Sequence, residues 1–142
     1  MSSRRDIREE EFRLLFMHDF HSGEDLPKQM ELFLTEDHVW DEEAAGREIL
    51  LTDDEKKEVF ARTEDAISHM KEIDDRINER TEGWKTSRMP KVELTLIRLA
   101  VYEIIFEGLD AGIAINEAVE LAKKYGGQNA GGFVNGILAR MI

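Results

Sequence analysis

Apolar side chains recur along this chain at the three- and four-residue spacing of α-helices. Between residues 114 and 125, apolar positions occupy one helical face and charged positions occupy the other. A glycine-rich stretch follows, and no part of the chain shows the two-residue alternation of a half-buried strand. The pattern predicts an all-α protein of about seven helices. The last helix carries an apolar stripe made of Phe133, Val134, Ile137, Leu138 and Met141.

Local start signals place the earlier helices. The first is predicted from about Ser3 to Phe20, with Ser2 or Ser3 as its N-cap, and a short second helix begins at Asp25. Thr52 and Glu55 have the spacing of a capping box, which predicts a helix that continues to Met70. After a bend, helical packing is expected to continue through Ile73, Ile77 and Trp84.

The helix that follows Pro90 is apolar around most of its circumference. Such a helix must be surrounded by other helices, because a helix that is apolar on every side is stable in water only when buried. Arg98 and Glu103 interrupt the apolar surface, so each needs a partner if it is buried. The sequence therefore predicts a single domain, residues 1–142, packed around this central helix.

Glycines and lysines mark the C-terminal elements. Gly126 and Gly127 are predicted to end the helix before them in a left-handed cap. Gly136 is predicted to let the last helix pack closely on the central one. Lys123 and Lys124 are candidate RNA contacts, but a helix C-terminus also favours lysine through its dipole. Both interpretations of the two lysines stay open.

Composition narrows the class of protein. The chain has 142 residues and no cysteine, which excludes disulfides and thiolate metal sites. No apolar stretch reaches the ~20 residues that span a bilayer, and the N-terminus lacks the apolar core of a secretory signal. We expect a soluble, cytoplasmic protein that contacts no membrane and holds neither a metal nor another cofactor.

The charge distribution is uneven. The net charge of −12 argues against a nucleic-acid partner at first sight. Residues 22–83 alone carry 8 basic and 20 acidic side chains, whereas residues 84–142 carry 7 basic and 6 acidic ones. The two ends could therefore form a phosphate-binding surface. The simpler interpretation, that the acidic segment only increases solubility, stays open.

Arginines of the first helix are the candidate RNA-binding residues. A guanidinium can donate two hydrogen bonds to one phosphate, and a helix N-terminus adds free N–H groups and positive potential. The spacing of Arg5 and Arg8 places both on one face. Acidic residues at 6 and 9–11 interleave the arginines, so a salt-bridged, solvated helix is the alternative. The candidates are Arg4, Arg5, Arg8 and Arg13.

Several stretches of the chain resemble the NusB family of transcription antitermination factors. The run Arg4-Arg5-x-x-Arg8-Glu9 stands where the family has an arginine-rich first helix. Val92-Glu93 and Leu96–Glu103 are similar to the family's central helix. Ala114–Gly126 and Phe133–Leu138 are similar to its C-terminal signature. The resemblance covers the whole chain and is loosest between residues 20 and 85.

The resemblance implies a fold and an activity. The fold would be an all-helical bundle of two subdomains around the central helix. The activity would be binding rather than catalysis. The protein would hold boxA-type RNA together with a small-subunit ribosomal protein, NusE. With RNA polymerase and the other Nus factors, this complex promotes processive transcription, notably of ribosomal RNA operons.

The resemblance also implies site residues. Arg4, Arg5 and Arg8 would contact RNA. Phe16 stands where many relatives have tyrosine. Phenylalanine would preserve stacking or packing there, but it cannot form the hydrogen bond of a tyrosine hydroxyl. Glu93 would lie near the surface shared by RNA and the protein partner, and Asn129 in a loop that forms the complex. Two departures, the acidic first helix and Gly131-Gly132, point to weak intrinsic RNA affinity.

Other function classes stay open. An enzyme finds little support, because the sequence has no nucleophile–base pair, phosphate-binding loop or dinucleotide fingerprint. A related helical module occurs in some ribosomal RNA methyltransferases, but 142 residues leave no room for their catalytic domain. A protein-interaction module that has lost RNA binding is the main alternative. A homodimer that hides the arginine face is a further one.

Overall fold

The computed structural model describes residues 4–20 and 51–142, and every regular element in these ranges is helical. Six α-helices and one 3₁₀ turn lie there, where the sequence predicted about seven helices in the whole chain. The all-α prediction is confirmed. The predicted N-cap at Ser2 or Ser3 and the predicted helix at Asp25 fall outside the described residues. The chain divides into two compact units, Met1–Asp65 and Ala66–Ile142.

The first unit contains helix α1, Arg4–Phe20, and the start of helix α2, Asp53–Ser68. The predicted capping box begins α2: the Thr52 N–H donates to Glu55 Oε1 at 2.9 Å, and the Glu55 N–H donates to Thr52 Oγ1 at 3.1 Å. These bonds satisfy two N–H groups that have no partner within the helix. One apolar cluster among the described residues of this unit contains Ile7, Leu14 and Val59, with Met17, Leu51 and Phe60 packed against it.

The predicted bend is at His69, where α2 gives way to helix α3, Met70–Arg80. Ile73 and Ile77 are buried on α3, as predicted. The prediction that Trp84 continues this helical packing is wrong. Thr81 is the C-cap of α3, and Gly83 turns the chain at a φ of +82°, so Trp84 lies outside any helix with 49% of its surface exposed.

Helix α4, Lys91–Ile105, is the central helix of the second unit. Its side chains are buried on almost every side between residues 93 and 103, and it packs against α3 and the two helices that follow it. Arg98 has the partner that its position requires: Nε and Nη2 donate to the two carboxylate oxygens of Asp74, each at 2.8 Å. No helix in the described ranges is long and apolar enough to cross a membrane.

Helices α5, Ala111–Tyr125, and α6, Ala130–Ala139, complete the second unit. Asp110 caps α5 by accepting a hydrogen bond from the Ile113 N–H at 3.2 Å. The last helix begins at Ala130, before the predicted apolar stripe. Of the residues in that stripe, Val134, Ile137 and Leu138 are buried. The predicted packing role of Gly136 is wrong, because this glycine is exposed and a Cβ there would meet nothing within 4 Å.

Candidate nucleic-acid interface

The N-terminal end of α1 presents two of the four candidate arginines to solvent. Arg4 and Arg5 are exposed, with 63% of the Arg4 side chain accessible. Arg4 Nη1 donates to Glu58 Oε1 at 2.8 Å. An exposed ion pair of this kind stabilises a protein by only about 0–1 kcal/mol. The Arg4 guanidinium can therefore exchange this carboxylate for a phosphate at small cost.

The other two arginines of α1 are buried. Arg8 and Arg13 are 7% and 1% exposed, because the helix is buried throughout from Asp6 to Leu15. Arg13 Nη1 lies 2.6 Å from Glu10 Oε1, and both side chains of this pair are inaccessible to water. The structure thus does not bring the four arginines to one exposed face. The spacing that puts Arg5 and Arg8 on one face does not make Arg8 accessible.

Phe16 lies further along α1 and is half-buried. Its ring is 5.9 Å from the ring of Phe12, centroid to centroid, at an interplanar angle of 36°. Phe12 is fully buried and so fixes one side of Phe16. The exposed remainder of the Phe16 ring is an apolar surface on the helix that also carries Arg4 and Arg5.

A groove of about 370 Å³ lies in the second unit, between the start of α4 and the start of α6. It brings together the two residues that the family resemblance singled out here, Glu93 and Asn129. Glu93 is in the first turn of α4 and is largely buried. Asn129 occupies the N-cap position of α6, but its exposed side chain makes no capping hydrogen bond. The remaining lining residues are Trp84, Pro90, Gly127, Gln128, Ala130 and Phe133.

Gly126 lies beside this groove, in a position too crowded for a side chain. A Cβ at this position would collide with the Cβ of Ala130 and lie 2.8 Å from the Ala122 carbonyl oxygen and 3.0 Å from Glu93 Oε1. The predicted left-handed cap is wrong, because Gly126 has an extended backbone with φ −96° and ψ −178°. Close packing of α5, α6 and the Glu93 carboxylate, rather than a positive φ, requires glycine here.

Aromatic rings border one side of the groove. The rings of Trp84 and Phe133 lie 5.2 Å apart, centroid to centroid, at an angle of 76°, an edge-to-face contact. The sequence pattern predicted that both residues pack against other helices, so it did not predict the exposure of Trp84. The available signal was local: an aromatic residue stands at the start of a segment, 84–91, that contains three basic residues and no acidic ones.

Lys123 and Lys124 lie in the last turn of α5. Lys123 is exposed, and its Nζ is 3.5 Å from Glu120 Oε1 one turn earlier. Lys124 is half-buried, with its Nζ 5.3 Å from the centroid of the neighbouring Tyr125 ring. The exposed Lys123–Glu120 ion pair is weak enough to be exchanged for contacts with an anion. Neither lysine is among the residues that line the groove.

The two surfaces offer the groups that proteins use to bind RNA. Arginine and lysine side chains meet phosphates, aromatic rings stack on unpaired bases, and amide and carboxylate oxygens accept hydrogen bonds from base edges. No hydrogen bond or ion pair within the described residues occupies the Glu93 carboxylate. This carboxylate can therefore accept hydrogen bonds from a ligand in the groove.

Residues 5–142 match the model of the NusB family. The chain is 45% identical over 139 residues to the transcription antitermination protein NusB of Agathobacter rectalis, covering 97% of this chain and 98% of that one. T. maritima NusB superposes with a TM-score of 0.79 at 33% identity, covering 99% of this chain and 90% of the other. A complex of the antitermination factors NusB and NusE with dsRNA contains a chain that superposes with a TM-score of 0.75 at 27% identity, over 97% and 94% of the two chains. The chain belongs to the NusB family.

Proposed function

We propose that this protein is a transcription antitermination factor that binds boxA-type RNA together with the ribosomal protein NusE. The observation that carries the proposal is family membership across essentially the whole chain, 5–142. A relative with the same fold has been solved in complex with NusE and dsRNA. In this proposal the bound complex joins RNA polymerase and other Nus factors in the cytoplasm and favours read-through of ribosomal RNA operons.

The first RNA-binding surface in this proposal is the N-terminal end of α1. Arg4 and Arg5 contact phosphates, since both are exposed and stand at a helix N-terminus, where the backbone dipole also favours anions. Phe16 offers the exposed part of its half-buried ring to a base. Arg8 and Arg13 support this surface from within, because their guanidinium groups are buried.

The second surface in the proposal is the groove that contains Glu93 and Asn129. The two residues supply a carboxylate and an amide to base edges or to the protein partner. Lys123 and Lys124 add positive charge at the end of α5. In this proposal the protein acts by binding, and none of these residues carries a catalytic step.

The proposal is tested by titrating a labelled boxA-type RNA with this protein, with and without NusE, at two salt concentrations. We expect salt-sensitive binding that NusE strengthens. The variant R4A/R5A should bind more weakly, with a salt slope smaller by about 1.4, because each lost contact to a single strand removes about 0.7. Absence of RNA binding even with NusE would overturn the proposal.

A second candidate function is a protein-interaction module without RNA binding. Two points favour it: Arg8 and Arg13 are buried, and this chain has glycines at 131 and 132, where the family resemblance implies a basic residue. The same titration separates the two functions. A module of this kind would bind NusE while leaving the RNA free at both salt concentrations.

A further inference from the structure

We propose that Trp84 and the basic side chains that follow it form an additional binding site for single-stranded RNA at the edge of the groove. We call residues 84–91 the cationic segment. The inference rests on the proposed function, because it takes RNA as the ligand, and it extends that function to residues outside the predicted set. In it, Trp84 stacks on an unpaired base while Lys85, Arg88 and Lys91 contact the flanking phosphates.

The charge of the segment is the first argument. In a chain with a net charge of −12, residues 84–91 contain three basic residues and no acidic ones. The side chains of Lys85, Arg88 and Lys91 are all exposed. A local concentration of positive charge on an acidic protein attracts a polyanion to that place in preference to the rest of the surface.

The rigidity of the segment is the second argument. The Thr86 N–H donates to Asn78 Oδ1 at 2.8 Å, and Asn78 Nδ2 donates to Thr86 Oγ1 at 3.3 Å. These two bonds join the segment to α3, and residues Thr86–Arg88 form a 3₁₀ turn. The basic side chains therefore project from a fixed backbone, so that less conformational entropy is lost when they bind a ligand.

Trp84 is the third argument. A tryptophan with 49% of its surface in water exposes a large apolar area. Its edge-to-face contact with Phe133 holds the indole at the border of the groove. An indole ring held in this way can stack on a base of any identity, since every base has a π-face. A base on Trp84 would have its edge beside the groove, where Glu93 and Asn129 offer hydrogen-bonding groups.

RNA fits this site better than a protein ligand. A protein ligand for a site with three cations would need a run of acidic residues, whereas single-stranded RNA supplies both the phosphates and the stacking bases that the segment can use. The arrangement of aromatic and basic side chains around a groove is the one found in sequence-tolerant single-strand binders.

The test compares four variants in complex with NusE. W84A removes the indole and W84F retains an aromatic face. R88A/K91A removes two cations of the cationic segment, and K71A/R76A removes two cations from the exposed face of α3 as a control of equal charge. The probes are a labelled boxA-type RNA and the same RNA extended with uridines at either end. Circular dichroism and thermal unfolding check that each variant is folded.

We expect W84A to weaken binding of an extended RNA by about 5-fold or more, and W84F to recover most of that loss. R88A/K91A should lower the salt slope by about 1.4 on the same RNA, whereas K71A/R76A should leave it near the wild-type value. In a W40F background, where Trp84 is the sole tryptophan, the extended RNA should quench the tryptophan fluorescence.

Two different results would overturn the inference while leaving the proposed function intact. One is wild-type RNA affinity and salt slope in both folded W84A and R88A/K91A. The other is loss of NusE binding in these variants with unchanged RNA affinity, which would make the segment a protein-binding surface. If the wild-type protein with NusE binds neither probe, the proposed function itself fails.

Discussion

The arginines of α1 differ in their access to water. We expect the exposed arginines to affect RNA binding and the buried arginines to affect the stability of the fold. Arg4 has an exposed partner in Glu58, whereas Arg13 and its partner Glu10 are both buried. An exposed ion pair exchanges readily with solvent and with ligand phosphates. A buried pair cannot do so without leaving a charge in a medium of low dielectric constant.

We therefore expect R13A to lower the free energy of unfolding by about 3–5 kcal/mol, because it breaks a buried ion pair by removing one of the two partners. R4A should change it by about 0–1 kcal/mol. Urea unfolding followed by circular dichroism measures both. An R13A variant as stable as the wild-type protein would show that the buried pair does not stabilise the fold.

The paired glycines after α5 offer a second comparison at this scale. G126A should destabilise the protein by about 1–3 kcal/mol, a typical cost of overpacking, because its Cβ would collide with Ala130. G127A is the matched control, since a Cβ at Gly127 meets nothing within 4 Å. Equal melting temperatures for the two variants would contradict the close approach of α5 and α6 at Gly126.

Helix α6 shows how an element can tolerate a residue that weakens it. Gly136 stands in the interior of this helix, is exposed, and has open space where a Cβ would be. Gly131, near the start of the same helix, is buried against Val119 and Lys123 of α5. Close packing therefore requires glycine at neither position of α6, because a Cβ at Gly131 would lie at ordinary van der Waals distances of 3.4–3.7 Å from these two side chains.

We expect G136A to raise the free energy of unfolding by about 0.5–1 kcal/mol, since alanine has a higher helix propensity and no neighbour obstructs it. Thermal and urea unfolding provide the measurement. A loss of stability in G136A would mean that another helix packs against this position, as the sequence pattern suggested.

Elements whose determinants are local were predicted from the sequence. Thr52 and Glu55 are three residues apart and bond to each other, so the start of α2 followed from spacing alone. The need of Arg98 for a partner was also predictable, but its partner Asp74 is 24 positions away and could not be identified from a helical pattern. Gly126 was misread for the same reason, because Glu93, which it approaches, is distant in sequence.

The candidate site was predictable only where the family resemblance supplied it. Glu93 and Asn129 line one groove, while their roles toward RNA and the protein partner stay predictions. The exposure of Trp84 depends on where α3 ends, and this is set by Thr81 and by the positive φ of Gly83. Apolar periodicity carries no information on either feature, so it placed Trp84 in the core.

At the scale of the whole molecule, an acidic protein is proposed to bind a polyanion. A net charge of −12 repels RNA at long range, so binding requires cations concentrated on the contact surfaces. Arg4 and Arg5 in the first unit and the cationic segment in the second meet this requirement. This distribution explains why NusE, as a second source of binding surface, is expected to strengthen the interaction.

The most direct test of the central claim is terminator read-through in transcription reconstituted with RNA polymerase, NusE and the other Nus factors. The template carries boxA ahead of a terminator, and a matched template carries a scrambled boxA. We predict that this protein increases read-through on the boxA template only, and that R4A/R5A reduces the increase. Read-through that is unchanged by the protein, or raised equally on both templates, would contradict an antitermination factor that acts through boxA RNA.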